Sequence, residues 1–419
     1  MSNLLKKSIL ILLSAVLIFA FAGCNSEKTE QPQVENPAPV QQEKVEYAQG
    51  ASDDAVTVGT IGVQSGPYAV IGTPYFSGME AYFKMVNDNG GINGRKINLI
   101  KKDDEFKADK SVQAAESLIF DEKVFAIVGH LGTPGVMATE QLVKEEGIPS
   151  VYFGSGAVQL TTAGENFFPV QPNYVYEGKL MAKYAVEEFK AEKIAVIYRN
   201  DDVGRDGLAG VEEGLKALGK ASVLPEDGKL AFNVGETDFT VQIQKAKNLD
   251  PDLVIIYGLI GGASGTLKEM EKVGFEVPMI TTYSNADASF LAVASPGAPN
   301  VIKNLYVMGW LEADEAALKP LVDAMGKYFA DVPVNAYTMA GWVAAETFAA
   351  GLKQAGDNLS WEGYIAAMNT LKFTEGLAPE IAYSPGVRVG VTKMSLSRVV
   401  VDSNGSYIFE LATDYIEFK

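Results

Sequence analysis

The feature that most constrains the fold of this chain is a regular alternation of short apolar strands and amphipathic helices. The alternation begins near residue 55 and starts again near residue 177. It predicts strands at 55–63, 96–100, 124–129, 148–152, 193–198, 253–257 and 278–282, and helices at 75–89, 110–120, 133–146, 177–190, 204–218 and 264–273. Such alternation produces parallel sheets that helices cover on both faces. Because the roughly 365 residues after position 54 exceed a single hydrophobic core, we predict two α/β lobes.

The loops that follow the predicted strands are rich in glycine, serine and threonine. In sheets of this kind, ligands bind beyond the carboxyl ends of the strands. The relevant loops lie at 64–73, 130–133 and 153–158 in the first half and at 200–204, 258–265 and 283–287 in the second. Three such loops from each half predict a ligand-binding cleft between the two lobes.

The chain begins with a basic segment and a short apolar run, which together predict a signal peptide at residues 1–23. Two lysines precede the apolar run at 9–22, which is shorter than the roughly 20 residues that a membrane-spanning helix needs. The run ends in Ala22, Gly23 and Cys24, which resembles a bacterial lipobox and implies cleavage before Cys24 and lipidation of its thiol. Cys24 is the only cysteine of the chain, so no internal disulfide can form. The alternative is an ordinary secretory cleavage site beside an incidental cysteine.

The segment after the lipobox has the composition of a tether. Residues 24–54 are rich in Gln, Glu, Pro, Ser and Thr, a composition that cannot bury enough apolar surface to order itself. Several acyl chains on Cys24 would anchor the protein stably, whereas a single chain is marginal. We therefore expect a disordered segment that holds the folded body away from the membrane.

Composition narrows the classes of function. Aspartate and glutamate number 53 against 35 lysines and arginines, which gives a formal net charge of −18. So acidic a chain is poorly suited to binding nucleic acid or anionic lipid heads. Its single histidine is His130, and its one cysteine is assigned to the anchor. A histidine-based catalytic triad and a multi-histidine metal site are therefore nearly excluded, and we predict neither an enzyme nor a bound metal or cofactor.

Several short segments resemble the leucine/isoleucine/valine-binding proteins in their order and spacing. They are Val-Gln-Ser-Gly-Pro at 63–67, Asn-Gly-Gly-Ile-Asn-Gly-Arg at 89–95, Asp-Asp at 103–104 and Gly-Glu-Thr-Asp-Phe at 235–239. The similarity extends from about residue 56 to the C-terminus. It implies a type I periplasmic-binding-protein fold, an α/β protein with two doubly wound, Rossmann-like lobes joined by a three-crossover hinge. The implied lobes are residues 55–172 plus 302–385 and residues 173–301 plus 386–419.

The resemblance also implies a site for a carboxylate. Members of this family hold the carboxylate of an amino acid with a hydroxyl side chain, here Thr133, and with backbone N–H groups, here those of Ser155 and Gly156. Thr133 also begins a predicted helix, so helix capping is its alternative role. Gly156 and Tyr283 stand where a threonine and a glutamate usually hold the ammonium group, and Asp287 is the alternative to Tyr283. The predicted ligand-binding residues are Tyr68, Leu131, Gly132, Thr133, Gly154, Ser155, Gly156, Val203, Leu259 and Tyr283.

These observations predict an extracytoplasmic solute-binding lipoprotein of a branched-chain amino acid-type ABC importer, anchored to the cell membrane and partnered with an ABC permease. Ile71, Val203 and Leu259 predict an apolar pocket. We therefore expect hinge closure around a small carboxylate that has an apolar or aromatic body and no ammonium group. A branched-chain or other amino acid is the alternative ligand. The alternative functions are a ligand sensor that presents its closed form to a membrane receptor and, from a third class, an exported hydrolase.

Overall fold

The structure, a computed structural model, describes residues 46–311 and 315–419. The predicted signal peptide, the predicted lipidation site Cys24 and the tether up to residue 45 lie outside the described residues. Across the two described ranges, no helix is long and apolar enough to cross a membrane.

The first lobe begins with an uninterrupted run of alternating strands and helices. Its elements are β1 (Ala55–Gly62), α1 (Ala69–Asp88), β2 (Lys96–Asp103), α2 (Ala108–Glu116), β3 (Ala126–Leu131), α3 (Thr133–Glu146), β4 (Ser150–Gly154) and β5 (Phe167–Phe168). The five strands form one parallel sheet in the order β2-β1-β3-β4-β5.

The second lobe repeats this pattern. Its elements are α4 (Tyr174–Glu187), β6 (Ile194–Arg199), α5 (Asp202–Ala217), β7 (Lys229–Phe232), α6 (Thr240–Leu249), β8 (Leu253–Tyr257), α7 (Ile260–Lys272), β9 (Met279–Thr281), α8 (Ala288–Ala294) and β10 (Leu305–Gly309). Strands β6 to β10 pair in parallel in the order β10-β9-β8-β6-β7.

The remaining chain is divided between the two lobes. The elements α9 (Glu315–Tyr328), α10 (Ala336–Ala355), α11 (Trp361–Met368), β11 (Lys372–Phe373) and β12 (Ile381–Ala382) come first. Helices α9 and α10 pack against α1 of the first lobe, and β11 pairs with β12 as a small antiparallel sheet. The chain then returns to the second sheet, where β13 (Ser395–Val401) and β14 (Tyr407–Leu411) extend the β10 edge in antiparallel pairing.

The inner parallel strands of each large sheet are buried on both faces, as the parallel arrangement requires. Successive residues of β3 point to opposite sides, so Val128 packs with the layer of α1 and α10 whereas Ile127 packs with α2 and α3. Strand β6 alternates in the same way, with Val196 facing α4 and α5 and Ile197 facing α6 and α7. The predicted fold class, an α/β protein with two lobes of mainly parallel sheet, is confirmed.

The second crossover lies later in the chain than the resemblance implies. Residues 302–385 are expected in the first lobe, but β10 lies in the second sheet, where Leu305 pairs with Met279 and Gly309 pairs with Ser395. The crossing to the first lobe therefore follows Gly309. The physical reason is that a five-residue buried strand carries no signal in its own sequence for the sheet that it joins.

Ordered structure also begins earlier than the predicted tether boundary at residue 54. The Gln49 amide donates to the carbonyl oxygens of Ile119 and Val124, each at 3.1 Å, and Arg95 Nε donates to the Ser52 carbonyl at 2.9 Å. These bonds attach residues 46–54 to the first lobe. Composition alone does not reveal these long-range hydrogen bonds, so it places the boundary too late.

Candidate ligand-binding cavity

A cavity of about 360 Å³ lies between the lobes, where the carboxyl ends of the two sheets face each other. Ile71 lines it, as do seven of the ten predicted ligand-binding residues. Those seven are Leu131, Gly132, Thr133, Gly154, Val203, Leu259 and Tyr283. The structure thus brings together loops that are far apart in the sequence, from Ile71 to Tyr283, as expected for the carboxyl ends of strands in a doubly wound fold.

Tyr68, Ser155 and Gly156 do not line the cavity. The Tyr68 ring packs against Phe106, with centroids 4.7 Å apart, and Phe106 takes its place in the wall. The Ser155 hydroxyl lies behind Thr133, at 2.9 Å from Thr133 Oγ1. Gly156 is covered by Tyr174, whose N–H donates to the Gly156 carbonyl at 2.7 Å. The lining of the cavity therefore does not support the predicted ligand contacts of these three residues.

Thr133 combines helix initiation with a buried position on the cavity wall. Gly132 takes the cap position of α3 with φ of 115°, and its lack of a side chain leaves the cap without a side-chain hydrogen bond. The Thr133 hydroxyl instead lies 3.2 Å from the Tyr174 hydroxyl, which the second lobe contributes. The alternative that Thr133 caps the helix is therefore not what the structure shows.

Gln171, in the first crossover, pairs with the backbone amides that the resemblance assigns to a ligand carboxylate. With its oxygen turned toward the loop, the Gln171 amide accepts from Ser155 N at 3.2 Å and Gly156 N at 3.3 Å. Its nitrogen donates to the Tyr152 hydroxyl at 3.1 Å, and its oxygen contacts the Tyr283 hydroxyl at 2.8 Å. Both ends of the amide are then satisfied. In this orientation of the Gln171 amide, a side chain of the protein pairs with the N–H groups that were predicted to hold the ligand.

Many aromatic side chains line the cavity, and most of them are not among the predicted ligand-binding residues. They are Tyr75, Phe106, Tyr152, Tyr174, Tyr283, Trp310, Tyr337, Phe409 and Tyr415. Tyr174 and Trp310 come from the crossovers and Tyr337 from α10, so their positions depend on how the lobes are joined. Burial raises the pKa of Tyr75, Tyr152, Tyr174 and Tyr283. These phenols stay neutral at physiological pH and act as hydrogen-bonding groups.

Arg199 is the one charged side chain among the described residues that line the cavity. It is the last residue of β6 and is 5% exposed. One of its terminal nitrogens pairs with Asp201, and its Nε has no hydrogen-bond partner. A signal for it was available in the sequence, because the arginine directly precedes the predicted ligand loop at 200–204.

Asp287 is committed to the backbone. Its carboxylate accepts from Ser289 N at 2.8 Å, which caps α8, and from Ala336 N at 3.1 Å, at the start of α10. Asp287 does not line the cavity. No aspartate or glutamate is found among the described residues of the wall, so Asp287 does not supply the acceptor considered as the alternative to Tyr283.

Hydrogen bonds join the two lobes at the rims of the cavity. Val158 N of the first lobe donates to Asp206 of the second at 2.8 Å. The Tyr337 hydroxyl donates to the Ser284 carbonyl at 3.0 Å, close to the bond between Asp287 and Ala336. These contacts connect the two lobes beside the cavity.

His130 and the acidic strand end have structural roles. His130 is buried without lining the cavity, and burial lowers its pKa to about 3. Asp103 accepts from Gln64 N at 2.9 Å and from the Ser65 hydroxyl at 2.6 Å, so it fixes the first loop. Within the described ranges, no group of three or more His, Cys, Asp or Glu residues is arranged to hold a metal ion.

Comparison with known proteins places the chain among binding proteins. Residues 55–406 match the family model described as "Periplasmic binding protein". The Leu/Ile/Val-binding protein of Escherichia coli (strain K12) is 27% identical over 323 residues, covering 77% of this chain and 85% of that protein.

Solved structures with the same fold have more varied names. A fatty acid ABC transporter substrate-binding protein from Thermomonospora curvata has a TM-score of 0.76 at 20% identity, covering 90% of this chain and 95% of its own. A solute binding protein from R. palustris in complex with benzoate has a TM-score of 0.72 at 20% identity, covering 87% and 98%. At these identities the likeness establishes the fold alone, so the ligand has to be argued from the cavity.

Proposed function

The chain belongs to the periplasmic binding protein family, and from this membership we propose that it is an extracytoplasmic solute-binding lipoprotein of an ABC importer. It captures a small carboxylate with an apolar or aromatic body in the cavity between its lobes. Closure of the lobes around that ligand presents the complex to an ABC permease, because domain closure is favoured by a ligand that prefers the closed state.

The observation that carries the ligand class is the composition of the cavity wall. It is aromatic and apolar, it contains Arg199, and none of its described residues is acidic. A buried ammonium group needs a paired acceptor, since an unpaired buried charge is costly. The names of similar proteins mention Leu/Ile/Val, fatty acid and benzoate. Family membership therefore does not identify the ligand, which has to be inferred from the residues of the cavity wall. The wall favours an acid that lacks an α-ammonium group.

Calorimetry with leucine beside its keto acid, 4-methyl-2-oxopentanoate, tests the ligand class. The two compounds share the branched body and the carboxylate and differ at the α-carbon. We expect the keto acid to bind and leucine to bind more weakly or not at all. A preceding thermal-shift screen of amino acids, keto acids and aromatic acids finds the strongest binders, because a ligand of the native state raises stability by mass action. Tight binding of leucine with none of the keto acid would contradict the proposal.

Anchoring through Cys24 is a separate part of the proposal and has its own test. It is supported by the apolar run at 9–22 and by the Ala22-Gly23-Cys24 sequence. Cys24→Ala should leave the precursor uncleaved or release the protein from the membrane fraction. Unchanged fractionation and unchanged N-terminal processing would contradict the lipid anchor and would not affect the proposed binding function.

A further inference from the structure

We propose that Arg199 binds the ligand's carboxylate from the second lobe, opposite Thr133 of the first lobe, so that one anion is held by both lobes. This inference rests on the proposed function and deepens it. It assigns the positive charge that binds the ligand to a residue that is not among the contacts implied by the family resemblance.

The position of Arg199 makes it a contact for a ligand. It ends β6 at the carboxyl edge of the second sheet, lines the cavity, and is 5% exposed. Asp201 pairs with its terminal nitrogen and also caps α5 by accepting from Gly204 N at 3.3 Å. The guanidinium is therefore held in place by a residue that is itself fixed to a helix.

The guanidinium retains donors that the protein does not use. An arginine carries five N–H donors in a planar fork. Asp201 is its one ion-pair partner among the described residues, and Nε is buried without an acceptor. Buried donors of this kind are nearly always paired. Two further polar atoms of residues in the wall, Tyr75 Oη and Ser395 Oγ, are also buried without a partner.

The first lobe by itself has few free hydrogen-bond donors for an anion. Gln171 already pairs with the N–H groups of Ser155 and Gly156, which leaves the Thr133 hydroxyl as the family-like contact. Thr133 lies 3.2 Å from the Tyr174 hydroxyl. Burial raises the pKa of Tyr174, and the nearby positive charge of Arg199 opposes that shift. Thr133, Tyr174 and Arg199 line the same cavity, so an anion bound there can contact groups of both lobes.

A carboxylate suits this arrangement better than a neutral group of the same shape. Hydrogen bonds between a guanidinium and a carboxylate are charge-assisted and about twice as strong as neutral ones. The planar fork also matches the two carboxylate oxygens. An amide has one acceptor oxygen and no charge, so it gains much less from Arg199.

Matched acids and amides separate this role from a structural one. The probes are benzoate, phenylacetate, 4-methyl-2-oxopentanoate and hexanoate, each beside its primary amide, with affinities measured by calorimetry. Arg199→Met should weaken the acid that binds best to the wild type by about 10- to 150-fold, the loss expected for a charge-assisted bond. Its effect on the matching amide should be at most about threefold on the same scale. Arg205→Met is the control, because Arg205 is exposed and pairs with Asn200 and Asp202.

A second variant keeps the test valid if Arg199→Met does not fold. Asp201→Asn frees the guanidinium from its ion pair and keeps a good helix cap, so acid binding should tighten while amide binding stays the same. Acid binding unchanged in Arg199→Met, equal losses for acid and amide, or an unchanged acid affinity in Asp201→Asn would each overturn the role of Arg199. A wild-type protein that binds none of the four acids would overturn the proposed ligand class and this inference with it.

Discussion

Gly156 shows how a single small residue reshapes a binding site. The resemblance places a threonine at this position, where its side chain would help to hold an ammonium group. Here a Cβ atom would lie 2.7 Å from the Tyr174 ring and 2.7 Å from the Tyr283 hydroxyl. Those two rings stack with centroids 6.1 Å apart. Glycine therefore makes room for the two tyrosine rings at the place where the resemblance implies a threonine.

A substitution tests this reading of Gly156. Gly156→Ala should lower the free energy of unfolding by about 1–3 kcal/mol, because an added methyl group in a packed site forces its neighbours to move. Gly261→Ala is the control, since no atom lies within 4 Å of the Cβ position there. Urea unfolding measures both variants. Equal free energies of unfolding for the two variants would show that Tyr174 and Tyr283 can accommodate a methyl group at residue 156.

Local sequence patterns give least information about site residues whose role depends on a partner far away in the chain. Leu131, Thr133 and Val203 follow strands, so the strand pattern finds them. Gln171 reaches the site by pairing with the loop at residue 155, and Arg199 becomes a candidate because its Nε is buried without an acceptor. The place of Arg199 beside the predicted loop at 200–204 is visible in the sequence, but its buried Nε and the pairing of Gln171 have no local signature. Burial and hydrogen-bond partners become visible once the lobes are assembled.

At the scale of elements, Glu177 connects a helix to two strand ends. It lies in the first turn of α4 and is fully buried. Its carboxylate accepts from the Tyr257 hydroxyl at the end of β8, from the Thr282 hydroxyl at 2.9 Å, and from Tyr283 N at 2.7 Å. Burial raises its pKa to about 7, and the hydrogen bonds oppose that shift. The loop that carries Tyr283 is therefore fixed by a group that titrates near neutral pH.

This pKa shift predicts a pH-dependent stability. The folded protein keeps a proton on Glu177 that the unfolded chain loses above its ordinary pKa of about 4.5. The free energy of unfolding should therefore fall by about 3 kcal/mol as the pH rises from 4.5 to 7. In Glu177→Gln this contribution is absent, while Glu346, which titrates in the same range, contributes to both proteins and cancels in the comparison.

The measurement is urea unfolding of the wild type and of Glu177→Gln at several pH values between 4.5 and 8. The variant should gain stability relative to the wild type as the pH rises, since a glutamine amide does not titrate. Its oxygen can accept from Tyr283 N, and its NH2 group can donate to the Tyr257 and Thr282 hydroxyl oxygens at any pH. Glu187→Gln, near the end of the same helix, is the control. Parallel pH profiles for the wild type and Glu177→Gln would show that Glu177 does not carry the shift.

Strands and helices of the first two segments were predictable from periodicity, because each buries faces that the sequence marks with apolar residues. Strand β5 has two residues and β7 has four, too few for a period to emerge. The pairing of β10 with β13 depends on a contact across more than 80 residues of chain, between Tyr306 and Arg398. Local pattern is informative about the existence of an element and uninformative about its sheet.

At the scale of the whole molecule, closure depends on bonds that exist when the lobes are together. Val158 N has the Asp206 carboxylate as its acceptor across the cleft, and in an open form it would face water. A contact made in one state shifts the equilibrium between the two states by its own free energy. A ligand that binds the closed form is therefore helped by every bond at the rim.

Removal of one rim bond predicts weaker binding without any change at the ligand. Asp206→Ala should raise the dissociation constant of the acid that binds best by about 3- to 10-fold, since a hydrogen bond contributes about 0.5–1.5 kcal/mol. It should also raise the radius of gyration of the protein in scattering measurements, because the open form becomes more populated. Glu213→Ala is the control, because Glu213 lies on the same helix and pairs with Lys179 within the second lobe. The expectation is contradicted if both variants keep the wild-type affinity and radius of gyration, which would mean that the rim bonds do not contribute to closure.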